Sequence, residues 1–257
     1  MRLFLATAYY TYRGLFVWMT PSMYVAQLIL LPLAQVAFFS LIGSYGGGQP
    51  LDFYLIGNAM VIAGTSGFFI GMSINEERAL GTLTYLIASP ANRLALFFGR
   101  TVSRILEAIL HVVVAFAWVG LAFGLVIPIG HWPAILLAVL TAALSAAGLG
   151  LLLGVAAYLA LDAGLLGNLM IFTLLLLSGA NIPLDELPPA LALLGQALPL
   201  THSIEAARAL AAGAGVPAVA PLLLRDLATG LVYGVCSFLL FGRVEDFARR
   251  RGTLEGV

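Results

Sequence analysis

The sequence contains no lysine: all 12 of its basic residues are arginine. A nucleotide-binding P-loop sets a lysine ammonium on the terminal phosphates of its ligand. This chain therefore has no P-loop of its own, and any ATP that drives it must bind elsewhere. Charge of either sign is scarce, at 9% of 257 residues, against about a quarter in an average soluble domain. With 61% hydrophobic residues and a mean hydropathy of +1.04, the composition is that of an integral membrane protein. The formal net charge is zero, so no basic field points to a nucleic-acid partner. Cys236 is the single cysteine, which excludes an internal disulfide; within the last apolar run it reads as a small packing residue. No signal-peptide pattern opens the chain, because Tyr9 to Arg13 interrupts a short apolar start. The first apolar span is expected to direct insertion.

What is present is a series of long apolar runs. About 20 apolar residues cross a hydrocarbon core. Six runs meet or approach that length: Pro21–Gly43, Phe53–Ser73, Ile105–Ile127, Pro133–Ala157, Gly164–Gly179 and Leu222–Phe241. Six spans put ten arginines on one side, from Arg2 and Arg13 through Arg78, Arg93, Arg100 and Arg104 to Arg243 and Arg249–Arg251. Only Arg208 and Arg225 fall on the other. The positive-inside rule then places both termini in the cytoplasm of a plasma (inner) membrane protein. The expected fold is all-α, one transmembrane domain over residues 1–257 with six transmembrane helices.

Two further segments flank these spans. Residues 1–20 read as an amphipathic helix on the inner membrane surface, with Thr20 and Pro21 as cap and first turn of span one. A plain continuation of a long tilted helix is the alternative. Residues 181–221 form the longest outer connection and contain six prolines, which cut helices into pieces. Leu187–Leu198 and Thr201–Ala212 are helix-like but too short to span. They read as an outer re-entrant hairpin between spans five and six, or as two helices resting on the surface.

A charged island separates spans two and three: NEERALGTLTYLIASPANRLALFFGRTVSR, from Asn75 to Arg104. Lipid rejects such charges, so the segment lies in water. Glu76 and Glu77 favour a helix start, and Pro90 ends the helical stretch at Ser89. A short cytoplasmic helix joined rigidly to two spans can pass a push to both; an ordinary solvated loop is the plainer reading.

Polar residues inside the spans are few. Gln27 and Gln35 share a face of span one around Pro32, Asn58 and Thr65 lie on span two, and Asn168 on span five. Such side chains face protein or a water-filled path, so these five are candidates for a substrate path. Interhelical hydrogen bonding is the alternative for each. Arg100, Arg104, Glu107 and His111 follow helical spacing at the inner end of span three, as an interfacial ion pair or, less simply, a proton relay. His131 and His202 show no metal-ligand spacing, and no nucleophile–base order appears, so an enzyme is not expected.

The stretch Glu-Glu-Arg-Ala-Leu-Gly-Thr-Leu to Ser-Pro and Arg, Glu76 to Arg93, resembles the signature of type-2 ABC export permeases. Ser178-Gly179, Pro183, Leu187-Pro188, Leu198 to Thr201 and Glu205 with Arg208 resemble the outer hairpin of the same family. The order of elements matches along nearly the whole chain. The resemblance implies the membrane half of an ATP-driven exporter, paired with a second copy of itself and with ABC ATPase subunits. It assigns residues 76–93 as the coupling helix, with Glu76, Glu77, Arg78, Gly81, Thr82, Leu83, Ser89, Pro90 and Arg93 as the ATPase-docking surface. ATP and Mg would be held by the partner, and this chain needs no cofactor. The short Tyr158–Asp162 loop, without arginine, departs from a strong second docking contact. The few charges within spans point to a drug-like, lipid-like or other amphipathic cargo. The rivals are a proton- or ion-coupled carrier that needs no ATPase, relayed through Glu107 and His111, and a non-transporting membrane scaffold.

Overall fold

The computed structural model describes residues 20–46, 48–79, 109–157 and 163–251. The surface helix, the coupling segment from Gly81 to Arg93, Arg100, Arg104, Glu107 and the Tyr158–Asp162 loop lie outside these residues. Among the described residues the chain is helical and contains no strand. Three helices or helical stretches are long and apolar enough to cross a membrane, Pro21–Gly46, Ile129–Ala156 and Val216–Leu240. Two shorter apolar helices, Ile109–Phe123 and Gly164–Leu177, accompany them.

Helix α1 (Pro21–Gly46) begins where the sequence places its cap: the Met23 amide donates to Thr20 Oγ1 at 3.3 Å, and the Tyr24 amide to Thr20 O at 3.0 Å. Pro32 lies inside α1 and is buried. Within a turn of it, Trp118 Nε1 donates to Ile29 O at 3.0 Å, tying α3 (Ile109–Phe123) to α1. Helix α2 (Leu51–Ala79) runs on past the expected end of span two and carries Glu76, Glu77 and Arg78 on its final turn. Span three stops earlier than its apolar run. Gly124 takes a positive φ of 72° there, and the Leu125 amide returns to Val119 O, as in a glycine cap.

After a 3-10 turn (Ile129–His131) come α4 (Trp132–Ala157) and α5 (Ala163–Leu177). The hairpin follows as α6 (Pro189–Ala197) and α7 (Thr201–Ala211), close to the expected bounds. The last helix differs. α8 (Val216–Arg251) is 36 residues long and starts before the expected span, so the connection ends at Gly215 rather than Pro221. Pro217 sits at the helix start, where a missing N–H costs nothing, and Pro221 lies in the second turn, where a single hydrogen bond is lost.

Helices α2, α4 and α8 form the centre of the bundle, with α2 against α4 and α4 against α8 as the principal interfaces. Small residues make this approach possible. A Cβ on Gly230 would collide with the Ser145 backbone, and one on Gly148 with the Gly230 backbone. The main core joins Leu55, Met60, Val112, Val119, Ile135, Leu200, Ile204 and Leu210, so the hairpin helix α7 belongs to the core rather than lying outside it. Cys236, expected as a packing residue, is instead exposed on α8.

Candidate functional site

Two clusters pin α7 to the bundle. The first is built on Arg208. The turn after α5 leaves the carbonyls of Gly179 and Ala180 without helical partners, and Phe53 lies at the start of α2. The Arg208 Nη2 donates to Phe53 O (2.9 Å), Gly179 O (3.0 Å) and Ala180 O (3.1 Å), while Nε donates to Phe53 O (3.2 Å). The guanidinium also lies 3.4 Å over the Phe53 ring, a cation–π contact. Burial lowers the Arg208 pKa to about 9, with Glu205 and Tyr54 opposing that fall, and the group stays charged at neutral pH. A Cβ at position 57 would strike Ala180 O and this guanidinium, so Gly57 leaves the room they occupy.

Asn58 extends the same cluster. Its Nδ2 donates to Tyr54 O and to Asn181 Oδ1, both at 2.9 Å, and Asn181 Nδ2 donates to Leu175 O at 3.0 Å. Two amide side chains thus bridge α2 to the end of α5.

The second cluster is built on Asp226, fully buried on α8. Leu200, just before α7, takes a positive φ of 86°, a strained region for a branched side chain. Its amide donates to Asp226 Oδ1 at 2.9 Å, and Ser203 Oγ donates to Oδ2. From α4, Ser145 Oγ donates to the Asp226 carbonyl at 2.6 Å. The carboxylate is therefore the N-terminal acceptor of α7, a role that a capping side chain within the helix usually fills. Tyr233 Oη adds a bond to Ala197 O at 2.8 Å, fixing the end of α6 to α8.

Between these clusters opens a pocket of ≈ 800 Å³. Its polar wall includes Asp185, Gln196, His202, Glu205, Arg208 and Arg225, and its apolar wall includes Phe53, Leu184 and Leu222. Burial lowers the His202 pKa from its ordinary value, Glu205 raises it in part and Arg225 lowers it further.

The five candidate path residues do not share one environment. Asn58 is buried and committed to the bonds above; Thr65 is half-buried and donates to Ile62 O at 3.1 Å. Gln35 is half-buried on α1, whereas Gln27 on α1 and Asn168 on α5 are exposed. Of the docking residues, Glu76, Glu77 and Arg78 continue the backbone of α2, and Gly81, Thr82, Leu83, Ser89, Pro90 and Arg93 lie outside the described residues. Asp226 was missed by the sequence reading. The available signal was an acid deep in an apolar helix, which is costly in lipid and calls for a named partner.

No curated protein matches the chain. The membrane-domain profile described as ABC-2 type transporter matches residues 5–211, from the N-terminal segment through the end of α7. Its expected role is that of a transport membrane subunit which normally pairs with an ABC ATPase, and the apolar helices agree with a membrane-embedded chain. The chain belongs to the ABC-2 type transporter family.

Proposed function

We propose that this chain is the six-span permease of an ATP-driven exporter, working as a homodimer on separate ATPase subunits. The observation that carries this reading is the family match over residues 5–211. A sequence without lysine agrees with it, since the motor's P-loop must then lie outside these 257 residues. The arginine distribution supports a reading with both termini and the island in the cytoplasm of a plasma membrane protein, and the α6–α7 hairpin outside.

In this reading Glu76 to Arg93 dock the ATPase. The acids Glu76 and Glu77 continue α2, so a force on the island acts directly on a helix at the centre of the bundle. ATP bound by the partner favours one arrangement of the dimer by its differential affinity for that arrangement. The path runs where two copies meet. Gln27 and Asn168 are polar atoms on otherwise apolar, exposed faces of α1 and α5, alongside Leu30, Leu31, Leu165 and Phe172. Polar groups placed so need protein or water rather than lipid. Gln27, Gln35 and Asn168 line the path, and Asn58 and Thr65 support it from behind. The cargo is an amphipathic, drug-like or lipid-like molecule.

The test is a charge reversal. Co-expressed with its ATPase, the double variant Glu76→Arg and Glu77→Arg is expected to insert normally and to lose the ATPase in a detergent pull-down. Undiminished co-purification would remove the docking role.

A further inference from the structure

The pocket beside the hairpin carries a charge pattern that cargo transport along a dimer interface does not use. Two arginines, Arg208 and Arg225, and two acids, Asp185 and Glu205, are among the residues that line it. Arg208 is largely spent on backbone carbonyls. Arg225 is exposed on α8, and its guanidinium makes no hydrogen bond or ion pair with another described residue. Asp185 and Glu205 are exposed as well. Two buried polar atoms in the same lining, Ser178 Oγ and His202 Nδ1, have no hydrogen-bond partner among the described residues. A pocket lined by both signs of charge, with the Arg225 guanidinium still free to bond, fits a ligand that brings both signs. A simple anion would meet the two acids, and a simple cation the two arginines.

Depth identifies the source of such a ligand. Arg225 precedes Arg243 by about 18 residues on one continuous helix, roughly 27 Å at 1.5 Å per residue. The hydrocarbon core is about 30 Å thick. With Arg243 at the inner boundary, Arg225 lies at the headgroup level of the opposite leaflet. Below it, at seven-residue steps on the same face, Val232 and Leu239 are exposed and apolar, a track on which an acyl chain can lie.

We propose that this pocket binds the headgroup of an outer-leaflet zwitterionic phospholipid of the phosphoethanolamine type. The phosphate sits on Arg225 and the ammonium on Glu205 and Asp185. The assignment of leaflet rests on the orientation given under Proposed function; the pairing of charges does not. By bridging α8, the loop before α6 and α7, the lipid completes the hairpin's seat with a component of the membrane itself.

Native mass spectrometry of the full chain tests this. Detergent-purified protein is mixed with equimolar phosphatidylethanolamine, phosphatidylglycerol and phosphatidylcholine of identical acyl chains. Phosphatidylethanolamine adducts are expected to dominate. Arg225→Gln is expected to weaken them by about tenfold, the loss of one charge-assisted contact. Glu205→Gln is expected to keep lipid bound but to erase the preference over phosphatidylglycerol. Equal retention of the three lipids by the wild type, or undiminished phosphatidylethanolamine on Arg225→Gln, overturns the proposal. Free phosphoethanolamine at the lipid's concentration is expected to displace nothing; displacement would overturn the lipid in favour of a soluble zwitterion. Both substitutions are at exposed positions and are expected to leave ATPase co-purification intact. A failure of the exporter reading therefore registers in the pull-down, and a failure of the lipid site in the adduct pattern.

Discussion

Asp226 shows how one side chain decides the geometry of a whole connection. Its two oxygens accept from the Leu200 amide and the Ser203 hydroxyl, and these bonds hold Leu200 in a left-handed conformation that its side chain disfavours. Removing the charge while keeping the shape leaves that strain unopposed and a buried donor poorly matched. Asp226→Asn is expected to lower stability by about 1–3 kcal/mol, read as a lower melting temperature in detergent with helix content unchanged. An unchanged melting temperature would show that the φ at Leu200 does not depend on the carboxylate. At this scale the sequence was only partly legible. Arg208 stood out as a charge on the sparsely basic side, but its role as a ligand for three backbone carbonyls depends on a turn that no local pattern announces. Asn58 was visible as a polar residue in an apolar run. Its partner Asn181 lies far along the chain, and a pairing across that separation has no signature in either segment.

Among the elements, periodicity and length did most of the work. The starts of α1, α4 and α5 fall within a residue of the apolar runs, and α6 and α7 lie close to the segments between prolines. The start of α8 was not legible, because Pro217 and Pro221 look like breakers. Each lies so near the helix start that few backbone bonds are at stake. Close crossings have no local signature: that Gly148 meets Gly230, across α4 and α8, emerges only from the packing. A leucine at position 230 would drive the two backbones apart. Gly230→Leu is expected to cost about 1–3 kcal/mol or more, as overpacking at a tight contact does. Gly234→Leu, one turn further where a Cβ would meet nothing within 4 Å, is expected to be nearly neutral. Equal thermal stability of the two variants would contradict the crossing.

For the molecule as a whole, orientation is the property on which the exporter reading depends. Placing residue 85 in the cytoplasm follows from where the arginines fall, and it is open to direct measurement. Cys236 is exposed on α8 and is first replaced by serine, so that a single new thiol reports. Tyr85→Cys is then expected to resist an impermeant maleimide on intact cells and to react once the membrane is opened. Labelling from outside would invert the topology and with it the leaflet of the pocket.

The last helix carries one mechanical implication. Its 36 residues form a continuous rod, roughly 54 Å long, and its tightest crossing, at Gly230, falls near the middle of that length. A rod held at its waist is a seesaw: tilting it about that fulcrum swings the two ends in opposite directions. Displacement of the arginine-rich tail toward the molecular centre would therefore carry Val216 and the adjoining rim of the cleft away from it, with no bend required anywhere between.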